Sequence, residues 1–320
     1  MAPSERCTPL TIVGGFLGSG KTTLIKRMLT QTELRIAVLV NDFGALNIDA
    51  ALIAASGATT VELTNGCVCC SIGDDLHSAL IALEARLEEF DHVVIEASGV
   101  SDPWKIAQIG LLNAGYRLDS VVVLVDTKHV PALLKDPRLQ DTVYRQCQRA
   151  DILLLNKIDL TADCDLSALS TQLTRDNKKA KVLSCSYAEV PLDVFIGSLN
   201  AHPSRSRGAE RWASNKLSNT HTKFYSCSLS SEQAWTQEAF QSLSQEIGPQ
   251  ILRGKALLHC NTQAPNTSRW LEWHRVCGRD SWATHSTPAP ILRSQLVLID
   301  TEPLDVRALE ARGWHYNTTL

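Results

Sequence analysis

An α/β unit built on a mostly parallel sheet, followed by a smaller α+β unit, is the fold class predicted by three features of this 320-residue chain. The first is a glycine-rich turn, Gly15 to Thr23 (G-F-L-G-S-G-K-T-T), with an apolar run before it and a helix-forming run after it. The second is a series of short apolar segments rich in branched residues, the pattern of strands buried on both faces. The third is a change of composition from about Ser198, after which strand patterns alternate instead of running apolar throughout.

The bulk numbers narrow the function. Two domains are expected, since one core is stretched at this length. A hydrophobic share of 44% with 20% charged residues is ordinary for a globular protein. The net charge of −3 leaves no electrostatic footprint for nucleic acid or an anionic membrane surface. No apolar run approaches the roughly 20 residues that span a bilayer. The opening Met1-Ala2-Pro3-Ser4-Glu5-Arg6 lacks the apolar core of a secretory signal and enters the first strand almost at once. Three of the ten cysteines are clustered, so reduced thiols and metal binding are expected over disulfides. The expected setting is the cytoplasm, without nucleic-acid or membrane partners; oligomeric state is not legible.

In order along the chain, Leu10-Thr11-Ile12-Val13 predicts a buried strand and Leu24 to Leu29 the start of a helix. Between them, Gly15, Gly18, Ser19, Gly20, Lys21, Thr22 and Thr23 form a phosphate-binding turn. Its glycines let backbone N–H groups face a phosphate chain at a helix N-terminus. Lys21 would reach the β- and γ-phosphates and the Thr22 hydroxyl would hold Mg²⁺. Ile36 to Val40 predicts a second buried strand, ending in the loop Asn41-Asp42-Phe43-Gly44-Ala45. Asp42 there fits a metal ligand and a plain turn residue equally well.

Thr60 to Leu63 predicts a short strand leading to Asn65-Gly66-Cys67-Val68-Cys69-Cys70. Thiolates at Cys67, Cys69 and Cys70 suit Zn²⁺ or another borderline-to-soft ion. Three thiols leave a tetrahedral site incomplete, which suits transfer better than a structural role. A redox pair or inert buried cysteines are the competing readings. Asp74 and Asp75 look like N-cap residues of the next helix. His77 within it is either a further ligand or a residue of a solvated face.

His92 to Glu96 predicts an apolar strand ending in a carboxylate, followed by Ala97-Ser98-Gly99-Val100-Ser101-Asp102-Pro103. Glu96 would either polarise water or join the metal shell, and the Gly99 N–H would sense a γ-phosphate. Ser120 to Asp126 and Ile152 to Leu155 predict two more buried strands, the second running into Asn156-Lys157-Ile158-Asp159. In N-K-x-D the aspartate accepts the ring N–H and the exocyclic amino group of guanine, a pair that adenine lacks. Val182 to Ser186 predicts the last strand, with Ser184 to Ser186 near the base.

A linker over 201–222 separates residues 1–200 from a C-terminal domain at 223–320. There, Phe224 to Leu229, Ile251 to His259, Arg269 to Val276 and Arg293 to Ile299 predict strands, and Trp235 to Ile247 and Pro303 to Arg312 helices. His259, His274, His285 and His315 match no ligand spacing. Trp270, Trp273, Trp282 and Trp314 are expected as core and interface anchors.

Taken together, G-F-L-G-S-G-K-T-T-L, N-D-F-G, N-G-C-V-C-C, E-A-S-G-V-S-D-P and N-K-I-D resemble the CobW-type family of GTP-dependent metallochaperones. Leu252-Arg253-Gly254-Lys255-Ala256 resembles that family's R-x-K-G strand, with Ala for the last Gly, and Arg293 to Ile299 its closing strand. The resemblance implies a phosphate-loop GTPase domain with a smaller C-terminal α+β domain. It also implies slow GTP hydrolysis with Mg²⁺, coupled to holding and releasing Zn²⁺ or Co²⁺ for a client metalloprotein of unknown identity. Carried over from the family are Thr22 on Mg²⁺, Asn156, Lys157 and Asp159 on guanine, and Cys67, Cys69 and Cys70 on the transferred metal; Lys21, Glu96 and Gly99 are the expected catalytic residues on the reading of the motifs themselves. Asp42 and Ala45 replace the two glutamates of the family's N-E-F-G-E loop, which removes an accessory carboxylate. The family's histidine-rich stretch is missing, which favours transfer over storage. A GTP-regulated assembly module with structural cysteines and a small-molecule phosphate-loop kinase are the alternatives.

Overall fold

The computed structural model describes residues 7–32, 34–40, 59–62, 72–196, 224–248, 251–260, 269–285 and 293–316. They divide into two compact units, residues 7–196 and 224–316. Among the described residues no helix is long and apolar enough to cross a membrane.

The first unit is a seven-stranded parallel sheet. Its strands are β1 (Thr8–Gly15), β2 (Ile36–Val40), β3 (Thr59–Glu62), β4 (His92–Glu96), β5 (Tyr116–Asp126), β6 (Ile152–Asn156) and β7 (Lys181–Ser184), in the order β3-β2-β4-β1-β5-β6-β7. The apolar runs Ile36–Val40, His92–Glu96 and Ile152–Asn156 are buried at every position, as strands covered on both faces must be. The crossovers include α1 (Lys21–Gln31), α2 (Ile72–Glu84), α3 (Pro103–Leu111), α4 (Val130–Leu133), α5 (Gln140–Cys147) and α6 (Asp163–Thr174). Helix α3 starts where its sequence dictates: Pro103 takes the first position and the Asp102 carboxylate accepts the Trp104 N–H at 2.9 Å. Gly110 lets this helix lie against β1, since a Cβ there would stand 2.4 Å from Leu10 Cδ2. Helix α2 begins at Ile72, which puts Asp74 and Asp75 inside its first turn instead of ahead of it.

Parallel pairing brings all carboxyl strand ends to one edge, where open α/β sheets bind ligands. Val13 pairs with Glu96, Val40 with both Glu96 and Glu62, and Asp126 with Asn156. Phosphate loop, acidic strand end and N-K-I-D element therefore leave the sheet at the same edge, the last of them one strand further out, beyond β5. Asp42, Cys67, Cys69 and Cys70 lie outside the described residues.

The second unit is a six-stranded antiparallel sheet of β8 (Tyr225–Ser231), β9 (Arg253–Cys260), β10 (Arg269–Val276), β11 (Arg279–His285), β12 (Ser294–Asp300) and β13 (His315–Tyr316), ordered β11-β10-β9-β12-β8-β13. Helix α7 (Gln237–Glu246) and the short α8 (Arg307–Glu310) complete it. Phe240 and Leu243 of α7 and Leu309 of α8 pack into one cluster with Leu229, Leu258, Trp273, Leu296 and Leu298 of the sheet. Trp314 stacks on Trp235 at 5.5 Å and meets Phe240 edge-on at 5.9 Å. The sequence reading contained neither β11 nor β13. β11 is polar, and its hairpin to β10 turns on Cys277 (φ 48°) and Gly278 (φ 81°), two left-handed residues that a Cys-Gly pair does not advertise. The closing helix is shorter than predicted because the Asp305 carboxylate accepts the Arg307 N–H at 3.1 Å and starts the helix there. The described histidines form no group of three metal-ligating side chains; instead His274 Nε2 lies 2.6 Å from Glu272 Oε1.

Trp314 is fully buried, so Trp314→Ala is expected to destabilise this unit by about 3–5 kcal/mol, measured by urea unfolding followed by near-ultraviolet circular dichroism. A cost below about 1 kcal/mol, the scale of a surface change, would mean that the aromatic cluster does not hold the unit together.

Candidate functional site

The turn after β1 has the backbone that phosphate binding requires. Gly15, Gly18 and Gly20 have φ of 129°, 74° and 106°, values open to glycine, and Gly20 is the N-cap of α1 with no side-chain cap on the helix. The uncapped N–H groups of Lys21, Thr22 and Thr23 form the positive end of that helix. Beside them is a cavity of about 320 Å³ lined by Leu17, Gly18, Gly20, Lys21, Thr22, Thr23, Glu96, Ala97, Ser98 and Gly99. The phosphate-loop and strand-end residues expected from the sequence thus come together.

Lys21 is buried and donates through Nζ to the carbonyls of Gly15 (3.1 Å) and Phe16 (3.3 Å). The Thr22 hydroxyl donates to Glu96 Oε1 at 2.9 Å. These two oxygen-bearing groups, one of them a buried carboxylate at a strand end, fit the hard-oxygen coordination of Mg²⁺. The Ser19 hydroxyl is buried with no hydrogen-bond partner among the described residues, a donor left over beside the loop.

The N-K-I-D element divides its labour. Asn156 is buried, and its carboxamide donates to the Ser19 carbonyl (2.8 Å) and accepts from the Ala188 N–H (2.9 Å). Lys157 donates to the Gly18 carbonyl at 2.8 Å and to Asp126 at 2.6 Å. Both therefore brace the phosphate loop from the far side of β5, and Gly20 must be glycine because a Cβ would stand 2.6 Å from Asn156 Nδ2. Asp159 has its carboxylate exposed and its N–H on Ser186 Oγ at 3.3 Å, which leaves the carboxylate free to face a base. Asp126 is one contributor that motif reading missed. Burial alone would raise its pKa, but donors from Lys157 and His129 outweigh burial and hold the carboxyl below its ordinary value.

Sequence reasoning also missed Gln146 of α5, whose amide group donates to the carbonyls of Gly99 (3.1 Å) and Ser101 (3.0 Å). A lone glutamine in a helix carries no signature that would have marked it. Cys147, Cys185 and Cys227 have their thiols pushed up to about 12 by burial, so they stay protonated and make poor metal ligands. Among the described residues no three His, Cys, Asp or Glu side chains gather as a metal site. His77 sits half-buried on α2, with Nδ1 lacking a hydrogen-bond partner among the described residues.

The chain is similar to known proteins. Zinc chaperone YjiA of Escherichia coli is 34% identical over 200 residues, 59% of this chain and 61% of its own. The zinc-regulated GTPase metalloprotein activator 1 of Schizosaccharomyces pombe is 30% identical over 230 residues, 68% of this chain and 56% of its own. The chain thus spans less than two thirds of the length of either relative. The crystal structure of Zn(II)-bound YjiA GTPase from E. coli aligns with a TM-score of 0.46 at 21% identity, covering 96% of this chain and 97% of that one. The family model described as the CobW/HypB/UreG nucleotide-binding domain matches residues 9–184. That match runs from the second residue of β1 to the last of β7, over more than half of the chain, and this protein therefore belongs to the CobW/HypB/UreG family.

Proposed function

We propose that this protein binds and hydrolyses GTP and uses the cycle to hold a transition-metal ion, zinc foremost, and pass it to a client metalloprotein. The observation that carries the reading is the joining of a phosphate loop and an N-K-I-D element by direct side-chain bonds, within a domain that matches the family over residues 9–184. The names of the relatives, zinc chaperone and zinc-regulated GTPase metalloprotein activator, support the metal.

In this reading the phosphates enter the cavity over Gly18 to Thr23 and meet the free N–H groups of α1. Lys21 exchanges its two carbonyl partners for phosphate oxygens, gaining charge-assisted bonds. Thr22 and Glu96 would hold Mg²⁺, which when bound neutralises charge on the β- and γ-phosphates. Glu96 lies against the Thr22 hydroxyl, which favours a place in the metal shell over direct activation of water. Water attacks the γ-phosphorus in line, the bond to the β-bridging oxygen breaks, and GDP and inorganic phosphate leave. The Gly99 N–H then loses the γ-phosphate, and the loop it belongs to relaxes.

The transferred ion is assigned to Cys67, Cys69 and Cys70 on their thiolate chemistry, with Asp42 as a candidate further ligand. Zn²⁺ is the first cargo candidate and Co²⁺ the second. The division into a GTPase domain at 1–200, a linker at 201–222 and a C-terminal domain at 223–320 belongs to the same proposal, with the C-terminal domain as the client-recognition surface.

Asp159→Asn is expected to weaken GTP at least about tenfold, the scale of losing one hydrogen bond to a charged group. Xanthosine triphosphate should gain relative to GTP, because an amide can donate to the added carbonyl. Competition binding reads both, and unchanged GTP affinity would remove Asp159 from the base site.

Competitive Zn²⁺ titration with Mg²⁺ and either a non-hydrolysable GTP analogue or GDP should give affinities at least tenfold apart, about 1.4 kcal/mol of coupling. Cys67→Ser and Cys69→Ser should abolish that difference while GDP affinity stays unchanged. Equal zinc affinity in the two nucleotide states would sink the gated clamp, since a ligand blind to the state shifts nothing.

A further inference from the structure

The loop between β4 and α3 forms the side of the cavity facing the phosphate loop, and its own sequence does little to fix it. Gly99 is buried, and a Cβ there would stand 2.4 Å from Leu17 Cδ2 and 2.9 Å from the Leu17 nitrogen. The backbone thus presses on the phosphate loop at a residue with glycine's full freedom. Within the loop, Ser98 and Ser101 share a hydroxyl–hydroxyl bond of 2.7 Å, and the Ser101 N–H donates to the Ser98 carbonyl at 3.1 Å. Those contacts close a turn without fixing its direction.

Direction comes from α5. Gln146 is 3% exposed, and its single NH₂ group donates one proton to the Gly99 carbonyl and the other to the Ser101 carbonyl. Both protons of the amide are used, at a buried position where water does not readily replace them. Its helix is fixed in turn, because Val143 and Cys147 lie in the core of the unit. Three residues beyond Gln146, the Arg149 guanidinium covers the Trp104 ring at 5.4 Å, so the same segment also grips the first turn of α3. The loop is held at two carbonyls, and the helix after it at one ring.

We propose that Gln146 is a positioning residue that presets the 97–102 loop for the γ-phosphate. It thereby sets both the preference for triphosphate over diphosphate and the hydrolysis rate, without touching the nucleotide. The inference rests on the GTPase reading above. A γ-phosphate contact made by a glycine N–H requires the glycine to be ordered beforehand, and the two carbonyl bonds do that ordering. GDP lacks the γ-phosphate and makes no demand on this loop.

The test uses the full chain with Mg²⁺ and two substitutions. Gln146→Leu removes both donors at similar volume, and Gln146→Glu keeps the shape but turns an acceptor toward two carbonyl oxygens. For each, GDP affinity, affinity for a non-hydrolysable GTP analogue and single-turnover GTP hydrolysis are measured. The expected result is GDP affinity within about twofold of wild type, with analogue affinity and hydrolysis rate each down about tenfold or more, the scale of losing one or two buried hydrogen bonds. A parallel loss for GDP and analogue, or no loss in either, overturns the assignment. If neither variant folds, Gln146→Asn carries the test. It keeps the donors on a shorter arm and should lose part of the analogue preference, and full retention counts against the proposal. Wild-type protein that fails to hydrolyse GTP would overturn the GTPase reading itself. Hydrolysis by wild type with unaltered Gln146 variants overturns the role of Gln146 alone.

Discussion

A 2.8 Å hydrogen bond from the Asn156 carboxamide to the Ser19 carbonyl ties together the two halves of the site. A phosphate loop is a poor structure on its own account. It turns N–H groups inward and carbonyls outward, and three of its residues sit at glycine-type φ. The outward carbonyls need donors, and the strand order supplies them. β6 lies two strands from β1, and its C-terminal residues reach past the end of β5 to the Gly18 and Ser19 carbonyls. The element that would read the base is therefore also the scaffold of the element that would hold the phosphates. Asp126 completes this by pairing with Lys157 and keeping its ammonium in place against the cost of partial burial.

The same logic explains the hydrogen bonds around the cavity. Buried polar groups must find partners, and Lys21, Thr22 and Glu96 find them in the loop and in one another. These are exchangeable partners. A phosphate chain offers Lys21 an anionic acceptor instead of neutral carbonyls, and a divalent cation can sit between a hydroxyl and a carboxylate already in contact. Little reorganisation is required, which lets backbone donors and fixed dipoles act without first being rebuilt.

Much of this was legible in the sequence, for a definite reason. Central parallel strands are buried on both faces, so Ile36–Val40 and His92–Glu96 appear as unbroken apolar runs whose limits match the observed strands. The phosphate loop is equally visible because its glycines are demanded by backbone geometry. Features set by tertiary contact were hidden. Nothing local distinguishes Asn156 as a brace from Asn156 as a base ligand, and Gln146 has meaning only through two carbonyls more than forty residues upstream. Tyr187 and Ala188, both left-handed at φ 56° and 54°, belong to the same class. Their conformation places the Ala188 N–H on Asn156, and no glycine advertises it. In the second unit the polar strand β11 and the late start of the last helix go with a hairpin turn and an Asp305 contact to the Arg307 N–H that residue patterns do not reveal.

The organisation of the first unit also bears on how a nucleotide signal would travel. The 97–102 loop runs directly into α3, and the segment carrying Cys67, Cys69 and Cys70 precedes α2 in the chain. Leu76, Leu80 and Leu83 of α2 share one core cluster with Ile106 and Ala107 of α3. The Tyr116 hydroxyl of β5 donates to the Leu80 carbonyl at 2.7 Å, fastening α2 to the sheet as well. Close-packed interiors resist local deformation, so a displacement at the start of α3 would reach α2 through the core that the two helices share. Gln146 and Arg149 grip the same layer from its other flank, at the Gly99 and Ser101 carbonyls of the 97–102 segment and at the Trp104 ring of α3, so loop and helix are fastened to α5 as one piece.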